Sequence, residues 1–121
     1  MIVLLGEFPD NVVAARAHGL VTGEDYTATL VPAVEQKIRE HDKVRLLYQI
    51  GPDFKRFTTT ALWEDAKVGF HHLECFERIA VVTDVGWLGR LAEGVGPAMS
   101  GRLRVFPLAD VENATAWISE N

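Results

Sequence analysis

VRLLYQI, at residues 44–50, is the stretch that decides the fold. It is an almost continuous apolar run, and IAVVT at residues 79–83 repeats the pattern further along the chain. Runs of this kind are typical of strands that are covered on both faces, as in a parallel or mixed sheet with helices on each side. We therefore expect these two strands to form the centre of a sheet.

The chain before the first central strand predicts a hairpin and then a helix. Residues 2–5 and 12–17 are short apolar runs, and the glycine, proline, aspartate and asparagine between them suit a turn that joins two antiparallel strands. Thr22 is the expected N-cap of a helix whose apolar residues recur at spacings of three and four. These residues are Tyr26, Leu30, Ala33, Val34 and Ile38. Pro32 lies inside this helix and lacks a backbone N–H, so we expect either a kink or two shorter helices.

Helices and strands alternate in the rest of the chain. A second helix is predicted over residues 59–73, after a turn at Gly51-Pro52. A third, weakened by three glycines, follows the second central strand. Residues 103–106 predict a fifth strand, and Asp110 is expected to cap a final helix.

The element order is therefore β-β-α-β-α-β-α-β-α along one domain, residues 1–121. It predicts an α/β fold with helices packed on a five-stranded sheet. The sheet should be mixed and mostly parallel, with an antiparallel edge strand.

Charge and composition exclude several functions. The formal net charge of −5 repels phosphate backbones, so we expect no nucleic-acid partner. The first residues lack a basic segment and reach Glu7 and Asp10 early, which indicates no signal peptide and no integral membrane segment. Cys75 is the single cysteine and cannot form an intramolecular disulfide. These features together favour a cytoplasmic protein.

The residues that could carry chemistry form no catalytic or metal-binding pattern. His71 and His72 are neighbours, and neighbours on a helix point about 100° apart, so both cannot bind one ion. Cys75 follows the acidic Glu74, which does not favour a reactive thiolate. Ser100 lies in AMSGR, which lacks the first glycine of a nucleophile elbow. We expect a protein that is not an enzyme and has no metal ion or cofactor.

Five aromatic residues support two interpretations. They are Phe54, Phe57, Trp63, Phe70 and Trp87, and they cluster on the second and third predicted helices and the loop before them. Large apolar residues at helical spacing are first of all a packing signal, so most should belong to the core. The alternative is a ligand groove, because Lys55 and Arg56 between the two loop phenylalanines would suit an apolar ligand with an anionic head.

Four segments carry a resemblance to a known family. EFPDNVVAARAHGLVTGEDY at 7–26, LLYQIGPDF at 46–54, LWEDAK at 62–67 and FERIAVVTDVGW at 76–87 resemble the SpoIIAA-like family of bacterial proteins, over essentially the whole chain. That family is similar to the STAS domain of sulfate transporters and anti-sigma factor antagonists. Its α/β core is also similar to the CRAL-TRIO lipid-binding domain. Both relatives have the element order given above, so the resemblance implies the same fold.

The resemblance also implies the place of a regulatory switch. In anti-sigma factor antagonists a serine in a D-S-S-G-like motif, at the start of the helix after the third strand, is phosphorylated. The corresponding positions here hold Thr58, Thr59 and Thr60, and the motif itself is absent. The alternative is that these threonines cap the helix.

Two functions follow as hypotheses. The first is a non-catalytic STAS-like module that binds another protein or itself and has a regulatory role. The second is a carrier or sensor of a small apolar ligand, such as a lipid or fatty acid, in the aromatic groove. A homodimer through a short edge strand or an apolar helix face is compatible with both.

Overall fold

Five strands form one sheet in the order β1-β2-β3-β4-β5 in the computed structural model, which describes residues 1–58, 73–99 and 101–120. Strand β1 is antiparallel to β2, and the other neighbours are parallel. The strands are β1 Ile2–Leu4, β2 Val12–Val21, β3 Val44–Phe57, β4 Phe76–Val82 and β5 Arg102–Phe106. The predicted mixed sheet with an antiparallel edge strand is therefore confirmed.

The two central strands are covered on both faces, as their apolar runs predicted. On one face, Leu46 and Tyr48 of β3 share a core with Tyr26 and Val34 from the helical segment before β3. On the other face, a second core joins strands β2 to β5 to the C-terminal helix. Its buried members are Val12, Ala14, Leu47, Ala80, Val82, Phe106, Ala114, Trp117 and Ile118. Alternating residues of each strand thus feed opposite cores, and the fold is α/β.

The first helical segment is divided near Pro32, as its missing N–H predicted. Thr22 is the N-cap of a one-turn helix, Gly23–Asp25, and forms a capping box with Asp25. A π-helical turn, Tyr26–Leu30, follows and leads into helix α1, Val31–Glu40. Pro32 lies in the first turn of α1, where the helix does not require a backbone donor.

The turn predicted at Gly51-Pro52 is wrong, because β3 continues through it to Phe57. The second half of β3 pairs with the second half of β2, where Gly19 lies opposite Phe54 and Val21 opposite Phe57. The register shifts on both sides of Gly19, whose φ is +54°, so a bulge accommodates the proline that cannot donate to the ladder. Phe54 and Phe57 therefore lie in a strand, and their predicted loop is wrong as well.

The remaining described helices agree with their predictions. Helix α2 is Gly86–Val95 and helix α3 is Val111–Ser119. Asp110 occupies the N-cap position of α3, although its side chain makes no capping hydrogen bond. The helix predicted over residues 59–73 lies outside the described residues up to 72, and Leu73–Cys75 is a 3-10 turn.

Candidate functional site

The five aromatic residues of the predicted groove have different environments where the structure describes them. The rings of Phe54 and Phe57 pack with their centres 4.8 Å apart, and Phe57 is a buried member of the core. Trp87 lies on α2 with 48% of its surface exposed. Trp63 and Phe70 lie outside the described residues. The groove, and with it the hypothesis of an apolar-ligand carrier, stays a prediction.

A groove of about 360 Å³ lies elsewhere, beside α3. It is lined by Arg104, Phe106, Asp110, Asn113, Ala116, Trp117 and Glu120, none of which belongs to the predicted aromatic set. The guanidinium of Arg104 lies 4.8 Å from the centre of the Phe106 ring and 5.4 Å from that of Trp117. This cation covers the apolar walls, so the groove offers little apolar surface to a lipid chain.

Helix α2 turns apolar side chains toward solvent. Trp87, Leu91 and Val95 follow one another at four-residue spacing and are 48%, 58% and 38% exposed. We call these three residues the α2 stripe. The side of α2 that faces the sheet holds Leu88 and Gly89 instead. A Cβ on Gly89 would lie 3.3 Å from Val105 Cγ1, so this glycine allows α2 to approach β5 closely.

Gly94 leaves a gap beside the α2 stripe. It lies seven residues after Trp87, which is almost two full helical turns, so the two residues share a side of the helix. A Cβ on Gly94 would meet no atom within 4 Å. The exposed surface of α2 therefore combines one bulky ring with one open position.

Two histidines, His18 and His41, are paired with aspartates. His18 Nδ1 lies 2.8 Å from Asp53 Oδ2, and His41 Nε2 lies 2.9 Å from Asp10 Oδ2. The hydrogen bond with His18 holds the pKa of Asp53 below its ordinary value, and hydrogen bonds with Lys37 and then His41 do the same for the pKa of Asp10.

One of these pairs has the composition of a metal site. Asp10, Glu40 and His41 each place a potential ligand atom within 4.8 Å of the others. However, the Lys37 ammonium lies 3.3 Å from Asp10 and already pairs with the negative charge that this carboxylate would offer to a metal ion. We therefore interpret the cluster as an ion-pair contact between α1 and the segment before β2.

The predicted phosphoswitch is described only at its first residue. Thr58 is half-buried directly after β3, and its backbone N–H donates to Val21 O at 2.9 Å. Thr59 and Thr60 lie outside the described residues, and the switch stays a prediction.

Three comparisons place the chain among known proteins. A family model described as SpoIIAA-like matches residues 12–119. No curated protein matches the chain. Among solved structures, the chain is similar to an uncharacterized protein of the DUF3478 family with a SpoIIAA-like fold from Shewanella loihica PV-4. The two are 21% identical with a TM-score of 0.76, over 97% of this chain and 93% of the other, and this likeness supports the fold. Within the described residues, the helices are too short or too polar to span a bilayer.

Proposed function

Since the chain belongs to the SpoIIAA-like family, a family without an assigned activity, we propose that it is a non-catalytic interaction module that self-associates through the α2 stripe. The observation that carries the proposal is the exposure of Trp87, Leu91 and Val95 on one side of one helix. Exposed large apolar side chains that are grouped on one surface, rather than scattered singly, mark interaction sites.

The occupant that best fits this surface is a second α2. If two copies of the helix pack antiparallel about a two-fold axis near residues 90 and 91, Trp87 of each copy lies opposite Gly94 of the other. The open position at Gly94 then receives the indole ring, and the same contact is made twice. Leu91 lies near the axis, where it contacts the partner helix.

The sheet edges are poorer surfaces for self-association. Strand β1 has only three residues, and β5 carries two exposed arginines, Arg102 and Arg104. Short strands and charged side chains both disfavour edge-to-edge pairing. Of the two routes to a homodimer that the sequence left open, the helix face is therefore the better supported.

Sedimentation equilibrium tests the proposal. We expect the apparent mass to rise from the 13.4 kDa of the subunit toward twice that value with increasing concentration. Because the interface rests on one helix face, its dissociation constant should lie roughly in the micromolar range. Trp87→Ala should weaken association at least about tenfold, since buried tryptophans are frequent hot spots.

Two further variants separate the interface from general surface effects. Gly94→Leu fills the gap that should receive the partner's Trp87, so it should also weaken association at least about tenfold. Leu20→Ala removes a residue that is 42% exposed on a different element, and it should leave association unchanged. A wild-type chain that stays monomeric at all concentrations would show that a second copy is not the occupant.

A further inference from the structure

The face of the sheet that α3 packs on carries a polar area away from that helix. Val3 of β1 lies opposite Arg16 of β2, and Arg16 lies opposite Gln49 of β3. We call these three neighbouring residues the Arg16 shelf. Ala14 and Leu47, two residues earlier on their strands, point to the same face and join its core. The shelf thus continues that core into a polar surface midway along β2 and β3.

One nitrogen of the Arg16 guanidinium lacks a hydrogen-bond partner in the described part of the chain. This nitrogen, Nε, is buried and donates to no acceptor there. A guanidinium carries five donors, and a buried donor without an acceptor is unfavourable. Gln49 lies opposite Arg16 on β3 and is only 7% exposed, so a second polar side chain is buried on the same face of the sheet. A buried guanidinium donor without an acceptor is the kind of group that a bound anion can satisfy.

The hydrogen bond with His18 and, to a smaller extent, the charge of Arg16 lower the pKa of Asp53, so this acid lies close to Arg16 without accepting from its Nε. Asp53 Oδ2 lies 2.8 Å from His18 Nδ1, so this carboxylate is engaged with the imidazole. A Cβ on Gly51 would lie 3.8 Å from Arg16 Nε and 3.0 Å from Asp53 Oδ1. Gly51 therefore lies against both groups, and a side chain there would crowd Asp53.

We infer that the Arg16 shelf binds the carboxylate of a small monoanionic ligand. Arg16 provides the charged donors, Gln49 provides an amide donor, and Val3, which is 39% exposed, provides apolar contact for the rest of the ligand. One guanidinium balances one negative charge. A phosphate dianion would bring a second charge close to Asp53, so the site favours a carboxylate over a phosphate.

Acetate is the simplest probe of this site. The Nε–Hε resonance of Arg16 can be observed in the ¹⁵N-labelled protein and assigned by its loss in Arg16→Lys. When acetate is titrated in at constant ionic strength, this resonance should shift and then reach a plateau. We expect a dissociation constant roughly in the millimolar range, because acetate makes few contacts. The Nε–Hε resonance of Arg104, whose guanidinium stacks on two rings, serves as the internal control and should not saturate.

Three results would overturn the inference. The first is an Arg16 resonance that shifts only linearly with acetate, and the second is inorganic phosphate binding more tightly than acetate. The third is a Gln49→Leu variant, shown to be folded by its amide spectrum, that binds acetate as tightly as wild type. The inference predicts at least about threefold weaker binding for that variant, and the wild-type titration decides the question even if a variant fails to fold.

Discussion

The guanidinium of Arg78 holds the C-terminal end of α3 through Trp117, because its Nη1 donates to the Trp117 carbonyl at 2.6 Å and its Cζ lies 5.2 Å from the centre of the Trp117 ring. Arg45, directly opposite Arg78 on β3, donates to the carbonyls of Ile118, at 3.0 Å, and of Glu120. Two arginines from adjacent strands thus donate to carbonyls at the C-terminal end of the helix, where backbone N–H donors are few. Their positive charge also complements the negative end of the helix dipole.

Replacing Arg78 by lysine should destabilise the protein by about 1 to 2 kcal/mol. A lysine retains the charge but loses the planar group that stacks on Trp117 while donating to its carbonyl. Urea denaturation gives the free energy of unfolding for this comparison.

Arg102 provides the matched control for Arg78. It lies directly opposite Arg78 on β5, and its side chain is exposed. Arg102→Lys should change the free energy of unfolding by no more than about 0.5 kcal/mol. If both variants lost the same free energy of unfolding, the contact between Arg78 and α3 would contribute no more to stability than an exposed arginine does.

Gly101 should tolerate no side chain, because the backbone at the start of β4 lies directly against it. A Cβ at this position would lie 2.5 Å from the Phe76 carbonyl oxygen and would also overlap the Glu77 carbonyl. Both obstacles are backbone atoms, so they cannot rotate away. We expect Gly101→Ala to cost at least about 2 kcal/mol in thermal or urea unfolding.

Gly86→Ala tests whether the loss of stability expected for Gly101→Ala is specific to position 101. A Cβ on Gly86 would meet no atom within 4 Å, and the residue begins α2. Alanine there should be neutral or slightly stabilising. If Gly101→Ala were equally neutral, the close approach between the chain at Gly101 and the start of β4 would be contradicted.

The capping box at Asp25 should make stability depend on pH. Partial burial raises the pKa of Asp25, but hydrogen bonds from the Thr22 backbone and hydroxyl outweigh that effect and hold the pKa below its ordinary 3.8. Because the folded pKa is depressed, the contribution is fully present above about pH 4 and is lost as the pH falls through the folded pKa.

Asp25→Asn, which carries no charge at any pH, reveals this contribution. At pH 7 it should lower the free energy of unfolding by about 0.5 to 1 kcal/mol, and the difference from wild type should shrink when the pH is lowered to about 2.5. Urea denaturation at the two pH values gives both numbers. If the free energies of unfolding of wild type and Asp25→Asn differed by the same amount at both pH values, the effect would come from packing rather than from the charge.

The sequence predicted the parts of the fold that depend on local pattern. The apolar runs of β3 and β4 identify buried strands, and Thr22 followed three residues later by Asp25 identifies a helix start. The division of the first helix at Pro32 is equally local, because it follows from a missing N–H.

The parts that depend on distant contacts could not be predicted. A Gly-Pro dipeptide usually ends a strand, and only the bulge at Gly19 of β2 allows β3 to continue through Pro52. His18 and Asp53 are 35 residues apart, so nothing local indicates that they pair.

The sequence also could not predict which side of α2 faces solvent. Trp87 and Leu91 mark the helix in the sequence, but the small Gly89 turns out to face the sheet. The surface on which the proposed function rests could therefore be recognised only from the folded chain.

Cysteine cross-linking tests the α2 interface most directly. Both variants carry alanine in place of Cys75, so each has one thiol. Leu91→Cys places that thiol near the proposed two-fold axis. Val95→Cys places it about 13 Å along the helix from the thiol of the other copy, given a rise of 1.5 Å per residue. Disulfides require Cα atoms about 4.4 to 6.8 Å apart. Under mild oxidation, we predict a covalent dimer from Leu91→Cys and little or none from Val95→Cys. Equal cross-linking at both positions, or none at position 91, would contradict antiparallel pairing through the α2 stripe.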